Sequence, residues 1–441
     1  MINRIKKIFD SESKALAKNS SWLFLSTIYQ AGIAFVKSVV IARSLGVEQY
    51  GTYAVIFAFV STIQEIFNLN FASAFVKYAT DYRQKERLDK VKALIKVGYL
   101  ISVVAGLLSI IVIAAVTMLA YSVFFDVGGL HGILVLFAAG SSLAFLNQLA
   151  RAILRVYDKF KVNSFVNVII YSLEFATICF SLYFFKNDLI MLIINLTAIN
   201  VVSFVLLQIT AYWEVKEHVS GFWSGQISLL REDKKTMTNF LLNDSLSKTL
   251  QKMMKKGDVL ILAAFADSAQ VGLYDVARKL AFSLLVIKDP LSMAIYPQIA
   301  RLITAQEVQK IRSFLRTISL VGFIPFSLGM VILFLFSNEI IGLLFGPEFL
   351  GSSTPLFFLV LAIGLEIVFF WAVSYILSLG RTGFRLRASL VSSVVTVTVA
   401  FGLVHTYGAA GIAFAILIGA VLLQSSFLLV ILRHLQRPEN G

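Results

Sequence analysis

Lys248, Lys252, Lys255 and Lys256 stand at i, i+4, i+7 and i+8. At about 100° per residue they share one helical face roughly 100° wide. Asp244, Gln251 and Asp258 flank that face, and Leu246, Leu250, Met253 and Met254 lie opposite. Ammonium groups arranged this way suit one kind of chemistry: they bind an anion as point charges, and phosphate or pyrophosphate above all. Only seven apolar residues, Val259 to Phe265, follow before Asp267. A membrane crossing needs about 20 residues. A helix that crosses here must take its lysines along, and they are costly unless they face water or an anion.

The elements that must position them belong to a polytopic membrane protein. Of 441 residues 58% are apolar, and mean hydropathy is +0.83. Only 15% are charged, against roughly 25% in soluble domains. Apolar runs suit single crossings at 20–42, 50–76, 97–121, 132–150, 162–185 and 189–213. Six more fall at 240–265, 272–296, 315–337, 354–379, 388–405 and 411–432. The expected fold class is therefore all-α, with about twelve transmembrane helices in two six-helix bundles. The expected domains are an N-terminal lobe at 1–213, a linker on the cytoplasmic side at 214–239 and a C-terminal lobe at 240–441. Met1 to Asn19 is basic, with Ile2, Ile5, Ile8 and Phe9 at helical spacing, and reads as an amphipathic lead-in on the membrane surface. Its following apolar run is too long for a cleavable signal.

Charge fixes the expected orientation. With both termini assigned to the cytoplasm, inner segments carry 29 Lys and Arg, including Arg151–Lys161 with four, and outer connections carry Arg43 and Lys186 alone. This is a strong positive-inside bias. It accounts for most of the net charge of +14, so no nucleic-acid partner is needed. If 259–296 held a single crossing, Arg301 through Arg387 would move outside, so the lysine helix is expected to span.

The remaining eight basic residues lie within the predicted spans: Lys37, Lys248, Lys252, Lys255, Lys256, Arg278, Lys279 and Lys288. They occupy the first, seventh and eighth spans only. The acids there are Glu65, Glu174, Asp244, Asp258, Asp275, Asp289 and Glu366. The predicted site is a water-filled cationic cavity between the lobes, binding phosphate or pyrophosphate through Lys37, Lys248, Lys252, Lys255, Lys256, Arg278 and Lys288. Glu65, Asp258 and Asp275 are candidate cavity or coupling acids; Glu65, Glu174 and Glu366 suit proton coupling or a structural hydrogen bond equally. Snorkelling is the bland alternative for Lys248 and Lys252. Asp275 and Arg278, one turn apart, suit a local ion pair equally well. The lone Cys179 and four scattered histidines suit neither a disulfide nor a metal site. No catalytic constellation stands out.

The chain also repeats itself. Gly51-Thr52-Tyr53 aligns with Gly272-Leu273-Tyr274, each at the start of a helix after a short outward turn and each near the opening of a six-span block. Duplicated halves are typical of transporters, with the substrate path between them.

These motifs resemble the multidrug/oligosaccharidyl-lipid/polysaccharide (MOP) flippase superfamily, and within it the Wzx-type O-antigen flippases. The residues that carry the resemblance are Ala42-Arg43-Ser44-Leu45-Gly46, Tyr50-Gly51-Thr52-Tyr53 and Asp258-Val259-Leu260. They continue with Val271-Gly272-Leu273-Tyr274, Ala277, Tyr296-Pro297 and Gly408-Ala409-Ala410-Gly411-Ile412-Ala413. The resemblance implies alternating access and translocation of undecaprenyl-pyrophosphate-linked oligosaccharide across a bacterial inner membrane. It implies no cofactor beyond an H+ or Na+ gradient or the membrane potential. Its partners would be the lipid-linked substrate, the bilayer, and a polymerase and glycosyltransferases of polysaccharide synthesis. A drug/cation antiporter of the same fold is the runner-up, because a cation path should be net acidic. A polysaccharide polymerase or ligase ranks lower, since the outward connections are short and the longest lacks basic residues. A passive structural protein would leave the buried lysines unexplained.

Overall fold

A computed structural model describes the backbone of residues 2–124, 130–219 and 221–436. Side chains are described for these except 2–21, 23, 120–124, 222, 242–256, 286–287, 289–291, 293–294, 321–322 and 325–326. Every long regular element among the described residues is helical. That follows from composition: in hydrocarbon each backbone N–H and C=O must be satisfied within its own segment.

The helices are α1 (Ile2–Phe67), α2 (Phe71–Gln84), α3 (Leu88–Phe124), α4 (His131–Ser142), α5 (Ala144–Val156), α6 (Phe160–Phe184) and α7 (Leu189–His218). There follow α8 (Lys234–Phe265), α9 (Ser268–Ser283), α10 (Lys288–Thr304), α11 (Val308–Leu335), α12 (Ser337–Leu344), α13 (Ser353–Val368), α14 (Ala372–Ser378) and α15 (Thr382–Leu435). Seven of the described helices are long and apolar enough to cross a membrane, or eight if the α11–α12 pair, bent by 75°, forms one broken span. Their apolar side chains remain largely bare: Met118, Leu119 and Leu343 are 73%, 88% and 75% exposed. Such surface in water would be an interaction face; on a helix this apolar it faces lipid.

Two of the long helices run across the boundary between two predicted spans. Gly46 (φ 76, ψ 173) breaks α1 and Gly408 (φ 50, ψ −126) breaks α15. Both conformations are readily reached only by glycine. Beyond Gly408 the chain doubles back. Ser392 Oγ donates to the Gly419 carbonyl at 2.7 Å, and a Cβ on Gly411 would stand 2.7 Å from the Leu403 carbonyl. Partners farther before Gly408 meet partners farther after it, which is an antiparallel pair. Elsewhere the sequence reading is too continuous. The predicted span 50–76 is interrupted at Asn68–Asn70, where Asn70 turns left-handed (φ 46) and its N–H donates to Asn68 Oδ1. The predicted span 272–296 divides into α9 and α10 around a 3-10 turn at Leu284–Ile287. Short connections turn through Glu86, Asp158, Lys186, Asn187 and Gln306, all at positive φ.

Contacts cluster the chain into two compact units. The first comprises Met1–Leu45, Ile56–Ser122 and Val127–Gly257; the second comprises Gly46–Val55, Val123–Asp126 and Asp258–Gly441. In the first, α2, α4 and α6 pack on α5 and α7 around Phe75, Leu94, Leu149, Ile153 and Leu207. Residues 214–239 belong to this unit. Lys90 Nζ meets Asp233 Oδ2 at 2.7 Å, and the Tyr82 hydroxyl donates to the same oxygen at 2.7 Å. In the second unit α13 packs on α9, α11 and α15, and α14 on α10 and α15, around Phe370, Trp371, Tyr375 and Phe427.

Candidate functional site

The second unit holds the denser polar site, and α9 organises it. Asp267 caps the helix, its side chain accepting from the Gln270 N–H at 2.8 Å. One turn further on, Gly272 meets the segment 46–55. A Cβ on Gly51 would stand 1.6 Å from the Ser268 carbonyl oxygen and 3.0 Å from the Gly272 nitrogen. A Cβ on Gly272 would stand 2.4 Å from the Val47 carbonyl oxygen and 3.2 Å from the Gly51 nitrogen. Gly51 to Gly272 and Val47 to Ser268 are the same sequence offset, 221 residues. The two repeat motifs therefore contact each other in a self-complementary way, as the same patch does in a two-fold interface.

Close backbone approach seats the side chains on either side of it. Asp275 and Lys279 lie one turn apart and pair at 2.8 Å. The Tyr50 hydroxyl donates to Asp275 Oδ2 at 2.9 Å and accepts from Lys279 Nζ at 2.6 Å. Tyr50 is wholly buried and Asp275 nearly so. The neighbouring ladder on α9 serves Asp258, two turns before the end of α8. The Tyr274 hydroxyl donates to Asp258 Oδ2 at 2.6 Å, and Arg278 Nε lies 3.2 Å from the same oxygen. The Arg278 guanidinium also covers the Phe282 ring at 5.3 Å. Each carboxylate thus has a cation and a phenol, the arrangement that makes a buried charge tolerable. Further along the unit, Lys288 at the start of α10 pairs with Glu366 of α13 through a short contact.

The first unit repeats the logic once. Lys37 of α1 meets Glu174 of α6 at 2.7 Å and lies 4.9 Å above the Tyr171 ring. The α1–α6 seam stays polar on the N-terminal side of this pair in both helices, with Tyr29 to Ser172 at 2.6 Å and Ser26 to Ser164 at 3.4 Å. Glu65 is buried and accepts from Asn68 Nδ2 at 3.3 Å at the end of α1.

The predicted site residues therefore divide. Asp258, Asp275 and Arg278 share one polar site. Of the two roles weighed for Asp275 and Arg278, direct pairing with each other is not what forms: each takes another partner, because i,i+4 spacing favours Lys279 for Asp275 while Arg278 reaches back to α8. Lys37, Lys288 and Glu65 stand at three separate places, each with an acid or amide partner. Lys248, Lys252, Lys255 and Lys256 lie on the backbone of α8, but their side chains are outside the described residues. Of the eight basic residues in the predicted spans, the described Lys37, Arg278, Lys279 and Lys288 are matched by Glu174, Asp258, Asp275 and Glu366.

Sequence reasoning passed over Tyr50 and Tyr274 as site residues, although both stood in the quoted repeat motifs. The repeat offset also places Lys37 at the position equivalent to Asp258. That marks both positions as charged helix interiors, one of each sign. A second unforeseen group is Glu214, Glu217 and His218, whose ligand atoms lie within 4.8 Å of one another. Lys159 Nζ, 3.3 Å from Glu214 Oε2, already supplies a cation there.

The polysaccharide biosynthesis protein family matches residues 16–303 of the chain. The probable low-salt glycan biosynthesis flippase Agl15 of Haloferax volcanii is 28% identical over 161 residues, which are 36% of this chain and 34% of that protein. The match thus spans about a third of the relative's length. Among solved structures, an inward-facing multidrug resistance MATE family transporter of the MOP superfamily superposes with a TM-score of 0.74 at 15% identity, covering 93% of this chain and 96% of that one. The lipid II flippase MurJ in an inward closed conformation gives 0.70 at 14% identity, over 93% and 88%. These similarities carry the fold. With the family match covering well over half of the sequence, the chain belongs to the polysaccharide biosynthesis protein family and has the helical transporter fold of the MOP superfamily.

Proposed function

We propose that this protein is a flippase that moves a lipid-linked oligosaccharide across a membrane during polysaccharide synthesis. The carrier expected from the sequence is undecaprenyl pyrophosphate, the membrane a bacterial inner membrane with both chain termini on the cytoplasmic side, and the mechanism alternating access. The supporting observation is the distribution of charge inside apolar helices. The described cations Lys37 on α1, Arg278 and Lys279 on α9 and Lys288 on α10 are balanced by ion pairing, while the sequence of α8 adds Lys248, Lys252, Lys255 and Lys256 at the spacing of one helical face. A pyrophosphate is the substrate group that four ammonium groups in a membrane helix suit. The family assignment and the relative named as a glycan flippase support the same class of substrate.

The test is reconstitution. Proteoliposomes carrying the full-length protein should move a polyprenyl-pyrophosphate oligosaccharide between leaflets, and K255Q/K256Q should lose that activity while still inserting. Unchanged flipping in that double variant overturns the anion role of α8. A drug/cation antiporter is the competing reading, and ion-gradient-driven uptake of an organic cation with no flipping would establish it instead.

A further inference from the structure

The sequence places Arg151 in the connection after the fourth predicted span. It lies instead inside α5, which continues to Val156 because Ile153, Leu154 and Val156 are buried in the core. Its side chain makes no ion pair or hydrogen bond with any described residue, and its Nε is buried without a partner. Only Nε is closed off in this way, so the terminal nitrogens of the fork keep access to the surface. A guanidinium held in a protein interior with no counter-charge is costly, and it is never neutral under ordinary conditions.

The surroundings are polar and on three helices of the first unit. Arg151 and Glu174 both act electrostatically on the Tyr171 phenol of α6. Glu174 is itself taken by Lys37 of α1, whose ammonium covers the Tyr171 ring. Arg155, one turn on, adds positive charge. Asn147, one turn before Arg151 on the same α5 face, carries an Oδ1 that is buried with no partner. A free guanidinium fork beside an amide oxygen fits an oxyanion that carries, or neighbours, a hydroxyl group.

We infer that Arg151, with Tyr171 and Asn147, forms an oxyanion-binding subsite within the first unit. The ligand is a phosphate-class anion. Its assignment to the transported lipid-linked glycan rests on the function proposed above; the headgroup phosphate of a bound membrane lipid has the same chemistry.

The test uses the full-length protein in phosphatidylcholine nanodiscs at low salt, with inorganic pyrophosphate titrated by calorimetry. Loss of a charge-assisted fork in R151Q should weaken binding by about ten- to a hundred-fold. R151K should fall between, since a lysine replaces a fork with a point charge. Where R151Q does not fold, R151K carries the test, and unchanged affinity in it overturns the inference. Native mass spectrometry from nanodiscs containing phosphatidylglycerol separates the sources: lipid retention that depends on Arg151, with no pyrophosphate binding, assigns the site to a lipid headgroup. Wild-type affinity for both ligands in a folded R151Q removes the site. That outcome leaves the flippase reading intact, whereas Arg151-dependent binding in a protein that flips nothing would remove the flippase reading alone.

Discussion

Gly51 and Gly272, 221 residues apart, stand back to back, each so close to the other's backbone that neither could carry a side chain. Gly51 faces the Ser268 carbonyl and Gly272 faces the Val47 carbonyl, the equivalent residue in the other repeat. The contact explains why both copies of the motif need glycine at this position. It also explains how Tyr50, immediately before Gly51, comes within reach of Asp275 and Lys279 on α9.

G51A should destabilise the protein more than G272A. The Gly51 Cβ position overlaps a carbonyl oxygen at 1.6 Å, and the Gly272 position meets one at 2.4 Å. Forcing a methyl into packed backbone costs roughly 1–3 kcal/mol or more. Because the two sites share one contact, the double variant should fall short of the sum. Thermal unfolding in detergent measures all three; additive effects would show that the two glycines do not meet.

Y50F removes a hydroxyl and leaves Asp275 with Lys279. K279M removes the cation and leaves a buried carboxylate with a phenol. The first should cost about 1 kcal/mol and the second several-fold more, about 3 kcal/mol or above. A reversed order in denaturation experiments would mean that Tyr50, rather than Lys279, balances the Asp275 charge.

Lys37 and Glu174 should be coupled. K37Q and E174Q each strand one charge on a half-buried seam, whereas K37Q/E174Q strands none. A double-mutant cycle on unfolding should give an interaction energy of about 1–3 kcal/mol. A coupling near zero would place the 2.7 Å contact among pairs that contribute nothing.

The first unit should lose stability in acid through Asp233. Hydrogen bonds from Lys90 first and Tyr82 second hold its carboxyl below the usual carboxylate range. A depressed folded value means that the contribution is present in full above the unfolded value, about 3.9, and is lost as pH falls through the lower, folded value. D233N should flatten the acid limb of the stability–pH profile below about pH 4 and leave the neutral region parallel to wild type. An acid limb unchanged in D233N would assign it to other carboxylates.

The amino-acid sequence by itself determined the class of molecule. Apolar runs of crossing length leave helices as the only means to satisfy the backbone, and the resemblance in the Gly46, Tyr50–Tyr53 and Gly408 motifs led to the superfamily whose fold the structure has. It also located the polar positions, because a charge in an apolar run stands out without any knowledge of packing. Partnership was not legible. Asp275 has basic residues three and four positions away, and only the direction in which α9 turns its face decides for Lys279 and sends Arg278 to Asp258. Lys37 finds Glu174, 137 residues away, through the packing of α1 on α6, which no local spacing encodes. Arg151 shows the reverse error: a basic residue near the end of an apolar run reads as a loop, and only the buried neighbours Ile153 and Leu154 keep it inside the helix. The repeat was visible as two short glycine–tyrosine motifs. That they touch one another was decided by tertiary structure, because side-chain-free backbone can approach backbone only where two glycines are brought to the same place.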